Sequence, residues 1–342
     1  MKISYSEAVH LATDLLVSVG HDLNKAAAVA RALGLAEAWG LGSHGMLRLP
    51  TYLDRVEAGG YAANAELTTV TDLGALIVMD GGTGLGHWQL SQAVDLAVPR
   101  AKQFGLAAVA IGNSGHCGAL GVYAADAAEA GMVSLIFSCG PAVIPPWGGT
   151  EKLLSTSPIA AGFPLPPRPM VVDLALSTVA RGKIAAFANR GEALPEGWAL
   201  DSSGQPTTDP HIALAGMLSP LGGAKGFALA FLVEALTAGL VGPQLSKDLP
   251  DFFDRKSVAQ PQGIAHLLVL VDPRQTDVNG DPQAATERFA NLAAATNAAG
   301  GRTPGARRLA PSEVEPRLEL DIEDQLLNGL IERQSRSSLA PK

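Results

Sequence analysis

Ser43, His44, Arg48 and Tyr52 fall within a single short stretch, Gly42-Ser43-His44-Gly45-Met46-Leu47-Arg48-Leu49-Pro50-Thr51-Tyr52. Imidazole is the side chain best suited to moving protons near neutral pH. Guanidinium grips a carboxylate through two parallel hydrogen bonds. An acid/base beside an anion clamp is the minimal apparatus for chemistry at the carbon next to a carboxylate. Ser43 beside His44 also raises a nucleophilic reading. Adjacent side chains diverge, however, and the chain has no Gly-x-Ser-x-Gly elbow. Ser43 therefore reads as a group that orients His44.

Further candidates are scattered along the chain. His116 sits in the loop Asn113-Ser114-Gly115-His116-Cys117-Gly118, directly after an apolar strand. Strand ends are where α/β proteins hold ligands, and glycines let the backbone approach them; the alternative is a surface histidine in a turn. No carboxylate or second histidine stands at ligand spacing, so no metal is expected. Asp173 ends another strand. Lys225 lies in Gly222-Gly223-Ala224-Lys225-Gly226 ahead of an apolar helix, which reads as an anion site at a helix start. Lys183 reads as a solvated charge. The loop Gly81–Gly86 follows a strand and opens a helix, but its glycine spacing fails the dinucleotide fingerprint. Cys117 and Cys139 lack paired-thiol spacing and read as structural.

The elements that must position these residues are legible in outline. Helices are expected at 4–19, capped by Ser4, at 22–39, opened by Asp22, and from Leu49-Pro50 to Gly59-Gly60. Strands at 67–70 and 75–79, a helix at 87–104, a strand at 107–111, a helix at 120–130 and a strand at 133–138 follow. Their alternation indicates an α/β lobe. Residues 141–169 are Pro-rich and read as loop. Then come a strand at 170–174, a helix at 177–189, a polar turn segment at 195–210, a helix at 225–239, a strand at 264–271 and a helix at 282–299. Residues 333–342 read as a frayed tail.

The chain has 342 residues, enough for two or three lobes. Its 38 glycines and 23 prolines, within 47% apolar residues, imply ordered turns rather than disorder. A net charge of −8 with no basic run argues against nucleic acid. No apolar run reaches membrane-helix length and the N-terminus lacks a signal-peptide pattern. With two cysteines and no disulfide framework, a cytoplasmic location is expected.

Taken together, these residues resemble the malate/L-lactate dehydrogenase family of the non-Rossmann type. The resemblance rests on Ser43-His44-Gly45 with Arg48, Pro50 and Tyr52, and on the His116 loop, where the family usually has Phe at the Cys117 position. It continues through Pro146-Trp147-Gly148-Gly149, Ser155–Ala160, Asp173-Leu174-Ala175, Ala180–Lys183, Leu194–Ala199, Gly204–Pro210 and Gly223–Gly226. The resemblance implies an α/β (α+β) fold: a largely antiparallel cofactor sheet with flanking helices, a helical N-terminal region and a substrate domain. The expected divisions are 1–65, 66–300 (with the NAD(P) part at roughly 110–260) and 301–342. It implies hydride exchange between NAD or NADP and small 2-oxo or L-2-hydroxy acids, or reduction of cyclic imino acids by one branch. It also implies a homodimer with sites near the subunit interface.

Carried over by residue, His44 is the expected acid/base with Ser43 in its relay, and His116 is a second candidate. Arg48 is the expected carboxylate clamp, joined in the substrate site by Tyr52 and Thr156. Cofactor contacts are expected from His44, Ser114, Gly115, His116, Cys117, Gly118, Asp173, Leu174, Ala175, Lys225, Gly226, Pro304, Gly305 and Arg307. The cyclic-imine branch tends to carry Asp at position 183. Lys183, grouped with Ser43, His44 and His116 as an expected catalytic residue, favours an anionic oxo acid over an iminium. A catalytically idle binding protein and a serine hydrolase are the readings from other classes.

Overall fold

The computed structural model describes residues 1–252 and 254–339. Strand β1 (Lys2–Ser4) runs into helix α1 (Tyr5–Ser18) through a capping box. The Ser4 hydroxyl accepts from the Glu7 amide, and the Glu7 carboxylate accepts from the Ser4 amide at 2.9 Å. Helix α2 (Leu23–Ala38) is capped by Asp22. Two single 3₁₀ turns, Gly42–His44 and Met46–Arg48, then lead into α3 (Leu49–Glu57), with Pro50 in its first turn. Leu11, Leu15, Leu33, Leu49 and Leu53 form the core of this helical layer.

The second layer holds β2 (Thr68–Asp72), β3 (Leu76–Asp80), α4 (Gly86–Phe104), β4 (Leu106–Ser114), α5 (Gly121–Glu129), β5 (Val133–Ser138), β6 (Ile159–Phe163) and β7 (Met170–Leu174). Next come α6 (Arg181–Arg190), β8 (Ala199–Leu200), β9 (Pro206–Thr207), α7 (Pro210–Ala215), β10 (Met217–Leu218) and α8 (Ala224–Glu234), which continues as a π turn. The chain closes with β11 (Ile264–Val271), α9 (Ala284–Ala298), β12 (Glu319–Asp321) and α10 (Asp324–Leu339).

Seven strands form one sheet in the order β2-β3-β4-β11-β5-β6-β7. Every neighbouring pair is antiparallel except β3 with β4, which are joined across α4 as a parallel pair requires. The fold is therefore the expected α/β arrangement with a largely antiparallel sheet. The register brings Ser114 opposite Ile264, Ser138 opposite His266, and Ile159 opposite Leu174. All of these lie at one end of the sheet, where the loops carrying the candidate residues gather.

Four local expectations are corrected. The Pro-rich stretch 141–169 contains β6, whose sequence Ile-Ala-Ala-Gly-Phe gives little strand signal. Small residues are needed there because α5 packs so closely that a Cβ on Gly162 would collide with the Ala124 carbonyl. Helix α6 begins at Arg181 rather than 177, since Ser177 is held in a β-bridge with Pro220. The polar segment 195–210 folds into the β8–β9 hairpin and opens α7, capped by Asp209. Residues 333–339, expected to fray, extend α10. Arg333 ties that helix to α3 through Asp54 at 2.7 Å and Glu57 at 2.8 Å.

Candidate active site

The two 3₁₀ turns before α3 form because Gly45 interrupts the helix between them. A Cβ at Gly45 would collide with the Glu37 carboxylate, which accepts a 2.7 Å hydrogen bond from the Met46 amide. Glu37, at the end of α2, thus pins the turn that carries His44. Burial raises its pKa. Sequence reading missed this residue, because a carboxylate near a helix end carries no signal of its own.

His44 Nδ1 lies 3.0 Å from the Ser43 hydroxyl, and Arg48 Nε donates to the Ser43 carbonyl at 2.8 Å. The backbone between them is therefore held by Arg48 itself. Burial, together with the Arg48 charge, pushes the His44 pKa down to about 4. His44 is accordingly neutral at pH 7 before a substrate arrives.

His116 faces His44 with ring centroids 6.2 Å apart. Its Nδ1 accepts from the Gly118 amide at 3.1 Å and from the Tyr52 hydroxyl at 2.8 Å. An amide can only donate, so Nδ1 carries no proton and the neutral ring holds its proton on Nε2. Burial and neighbouring His44 hold His116 well below the usual histidine range. Tyr52 is fully buried beneath the site, on the α3 face that carries Arg48 one turn earlier.

A cavity of about 370 Å³ joins these groups. Ser43, His44, Arg48, His116, Cys117, Gly118, Thr156, Asp173, Leu174 and Ala175 all line it. Ser114 and Gly115 stand behind this wall. The Ser114 hydroxyl lies 3.0 Å from Nε2 of the buried His266, whose Nδ1 lies 2.9 Å from the Ser138 hydroxyl at the cavity.

Other expected residues lie outside the lining. Lys183 is exposed, and its ammonium stands 4.8 Å from the centre of the Trp198 ring. Lys225 is exposed on the first turn of α8. Gly226 is required by packing, since a Cβ there would collide with the Leu221 carbonyl. Pro304 and Gly305 dock on β7, where the Val171 amide donates to the Pro304 carbonyl at 3.2 Å. Arg307 is exposed. The residue this turn sends into the cavity is its neighbour Arg308, 3.7 Å from Asp173. Arg308 Nη1 is buried and has no hydrogen-bond partner among the described residues. Gly121 keeps the space beside it open, since a Cβ there would lie 2.6 Å from Asp173 and 2.9 Å from Arg308.

Arg181 and Phe252 were also not anticipated. Arg181 lines the cavity from the start of α6 and pairs with Asp251 at 3.0 Å. The Phe252 ring lies 4.9 Å from His116. Among the described residues no group of three or more His, Cys, Asp or Glu could hold a metal, and no helix is long and apolar enough to cross a membrane.

The site's residues fall within a sequence matched from residue 3 to residue 330 by the model of a single family, malate/L-lactate dehydrogenase. The chain belongs to that family. A relative from Chromohalobacter salexigens, (2R)-3-sulfolactate dehydrogenase (NADP(+)), is 44% identical over 79% of this chain and 81% of its own. The Delta(1)-pyrroline-2-carboxylate reductase of Ancylobacter novellus is 36% identical over 80% of each chain. Among solved structures, sulfolactate dehydrogenase from Methanocaldococcus jannaschii superposes with a TM-score of 0.89 at 27% identity, covering 99% of this chain and 98% of that one.

Proposed function

We propose that this member of the family interconverts a small 2-oxo acid and its 2-hydroxy acid with a nicotinamide dinucleotide, through His44 and Arg48. The observation that carries this reading is His44 and Arg48 facing one cavity while sharing Ser43 as a common anchor. The cavity fits the cofactor class. Arg308 offers a buried N–H without a hydrogen-bond partner among the described residues, beside the bare Cα of Gly121, and Asp173-Leu174-Ala175 supply a wall for ribose or amide groups. When bound, the cofactor supplies the hydride chemistry at nicotinamide C4.

The protein's part is orientation and proton control. Arg48 takes the substrate carboxylate and fixes C2 in a reactive pose. That carboxylate offsets the Arg48 charge, which is one of the two causes depressing His44, so substrate binding raises the proton affinity of His44. His44 then gives a proton to the forming hydroxyl in one direction and takes it in the other. His116, locked with its proton on Nε2, acts as a neutral hydrogen-bond donor to the substrate oxygen.

Arg181 supports a substrate with a second anionic group, such as a sulfonate or a further carboxylate, in keeping with the 44% identical relative. The test is a panel of NADH- and NADPH-linked reductions of sulfopyruvate, oxaloacetate, pyruvate, Δ1-pyrroline-2-carboxylate and Δ1-piperideine-2-carboxylate. The expected result is a kcat/KM for a dianionic oxo acid at least about tenfold above that for pyruvate. Faster turnover of a cyclic imine would replace this reading with the imino acid reductase alternative, which the 36% identical relative favours.

A homodimer and a cytoplasmic location belong to the same proposal. Leu229, Phe231 and Leu232 on α8 and nearby Leu240 are 46% to 68% exposed. A bare apolar helix of this kind is expected to be covered by a second copy. Sedimentation at twice the chain mass is the expected result, and a monomer would contradict it. Two buried free thiols, Cys117 and Cys139, suit a reducing compartment.

A further inference from the structure

Among the described residues Arg55 is the largest fully buried side chain, only 1% exposed. It has no carboxylate partner among the described residues. Its guanidinium instead donates to backbone carbonyls of one stretch of chain: Asp251 at 3.0 Å, Gln260 at 3.2 Å, Ser257 at 3.3 Å and Phe252 at 3.5 Å. Its charged end also lies 5.7 Å from the Tyr61 ring and 5.5 Å from the Phe252 ring. A buried cation is costly unless hydrogen-bonded; these carbonyls serve Nη1 and Nη2, while Nε, also buried, has no hydrogen-bond partner among the described residues.

What the cation holds gives it a functional meaning. Arg48, Tyr52 and Arg55 recur at helical spacing along one face of α3. Phe252 packs against all three: its ring lies 5.8 Å from the Arg48 guanidinium, 5.8 Å from the Tyr52 ring and 5.5 Å from Arg55. The same ring lies tilted against His116, ring centroids 4.9 Å apart. Asp251, gripped through its carbonyl, pairs with Arg181 at the cavity.

We propose that Arg55 is a positioning residue for the carboxylate-binding end of the site. Its guanidinium seats the Phe252 ring that backs Arg48 and His116. The inference rests on Arg48 being the carboxylate clamp. It goes further by assigning a site function to a cation that never reaches the substrate.

Arg55→Met tests it. KM for the acid substrate is expected to rise at least about tenfold, with kcat down by less than about threefold and NADPH affinity, read by cofactor fluorescence, within about twofold. In Arg55→Ala, added guanidinium chloride at about 10 mM is expected to lower the raised KM, since only the missing group is replaced. An unchanged KM, equal losses in kcat and cofactor affinity, or no rescue would overturn the assignment. If both Arg55 variants fail to fold, Phe252→Leu keeps the clasp and removes the ring. The same rise in KM is expected, and a wild-type KM would overturn the proposal. Failure of the functional reading looks different, because the wild-type enzyme itself would then turn over no oxo acid.

Discussion

Replacing His44 by alanine lowers turnover of the oxo acid by about 100- to 10,000-fold, the range spanned by positioned acid–base groups. Cofactor affinity stays within about threefold, because the groups proposed to hold the dinucleotide, Asp173 to Ala175 and Arg308, are untouched. The pH dependence carries a sharper signature. Burial and Arg48 push His44 down to about 4 in the free protein. The group is therefore a competent base throughout the neutral range, and it loses that competence only as the pH falls through about 4. In the oxidation direction, the acidic limb of kcat/KM should lie well below 6.5, the ordinary histidine value. His44→Ala should remove that limb. Near-normal turnover in the variant would sink the acid/base assignment, and a limb at 6.5 or above would show that His44 is not the group being titrated.

Replacing Arg48 by methionine is the second large effect. A guanidinium paired with a carboxylate contributes two charge-assisted hydrogen bonds, so kcat/KM is expected to fall by about 100- to 1,000-fold, mostly through KM. Arg48 is also the second cause holding His44 down, after burial. Its removal raises the His44 pKa, and the acidic limb should move upward in this variant. A simple packing defect would weaken binding without moving that limb. Unchanged KM and kcat would refute the clamp.

The sequence carried the chemistry of this site better than its support. Ser43, His44, Arg48 and Tyr52 were legible because they sit in one short stretch between two helix signals; the structure brings the first three to one cavity, while Tyr52, expected in the substrate site, is fully buried behind it and reaches it through His116. His116 was legible because glycines flank it at a strand end. The failed glycine spacing at Gly81–Gly86 correctly argued against a Rossmann sheet. The sheet that formed is mostly antiparallel.

What escaped notice depends on contacts made across long stretches of sequence. Arg307 and Arg308 are indistinguishable in sequence. Only the docking of Pro304-Gly305 on β7 decides that Arg308 enters the cavity. Arg55 looks like an ordinary basic residue near a helix end until the carbonyls of Asp251, Phe252, Ser257 and Gln260 close around it. Lys183 is exposed against Trp198, whereas Arg181, two residues earlier, lines the cavity.

The central claim is hydride transfer to the carbon beside a carboxylate held by Arg48. Its most direct test is reduction of the best oxo acid with NADPH or NADH carrying deuterium at the transferable C4 position, followed by mass spectrometry of the product. The account predicts one deuterium, located at C2 of the 2-hydroxy acid. A product formed without deuterium at C2 would contradict it.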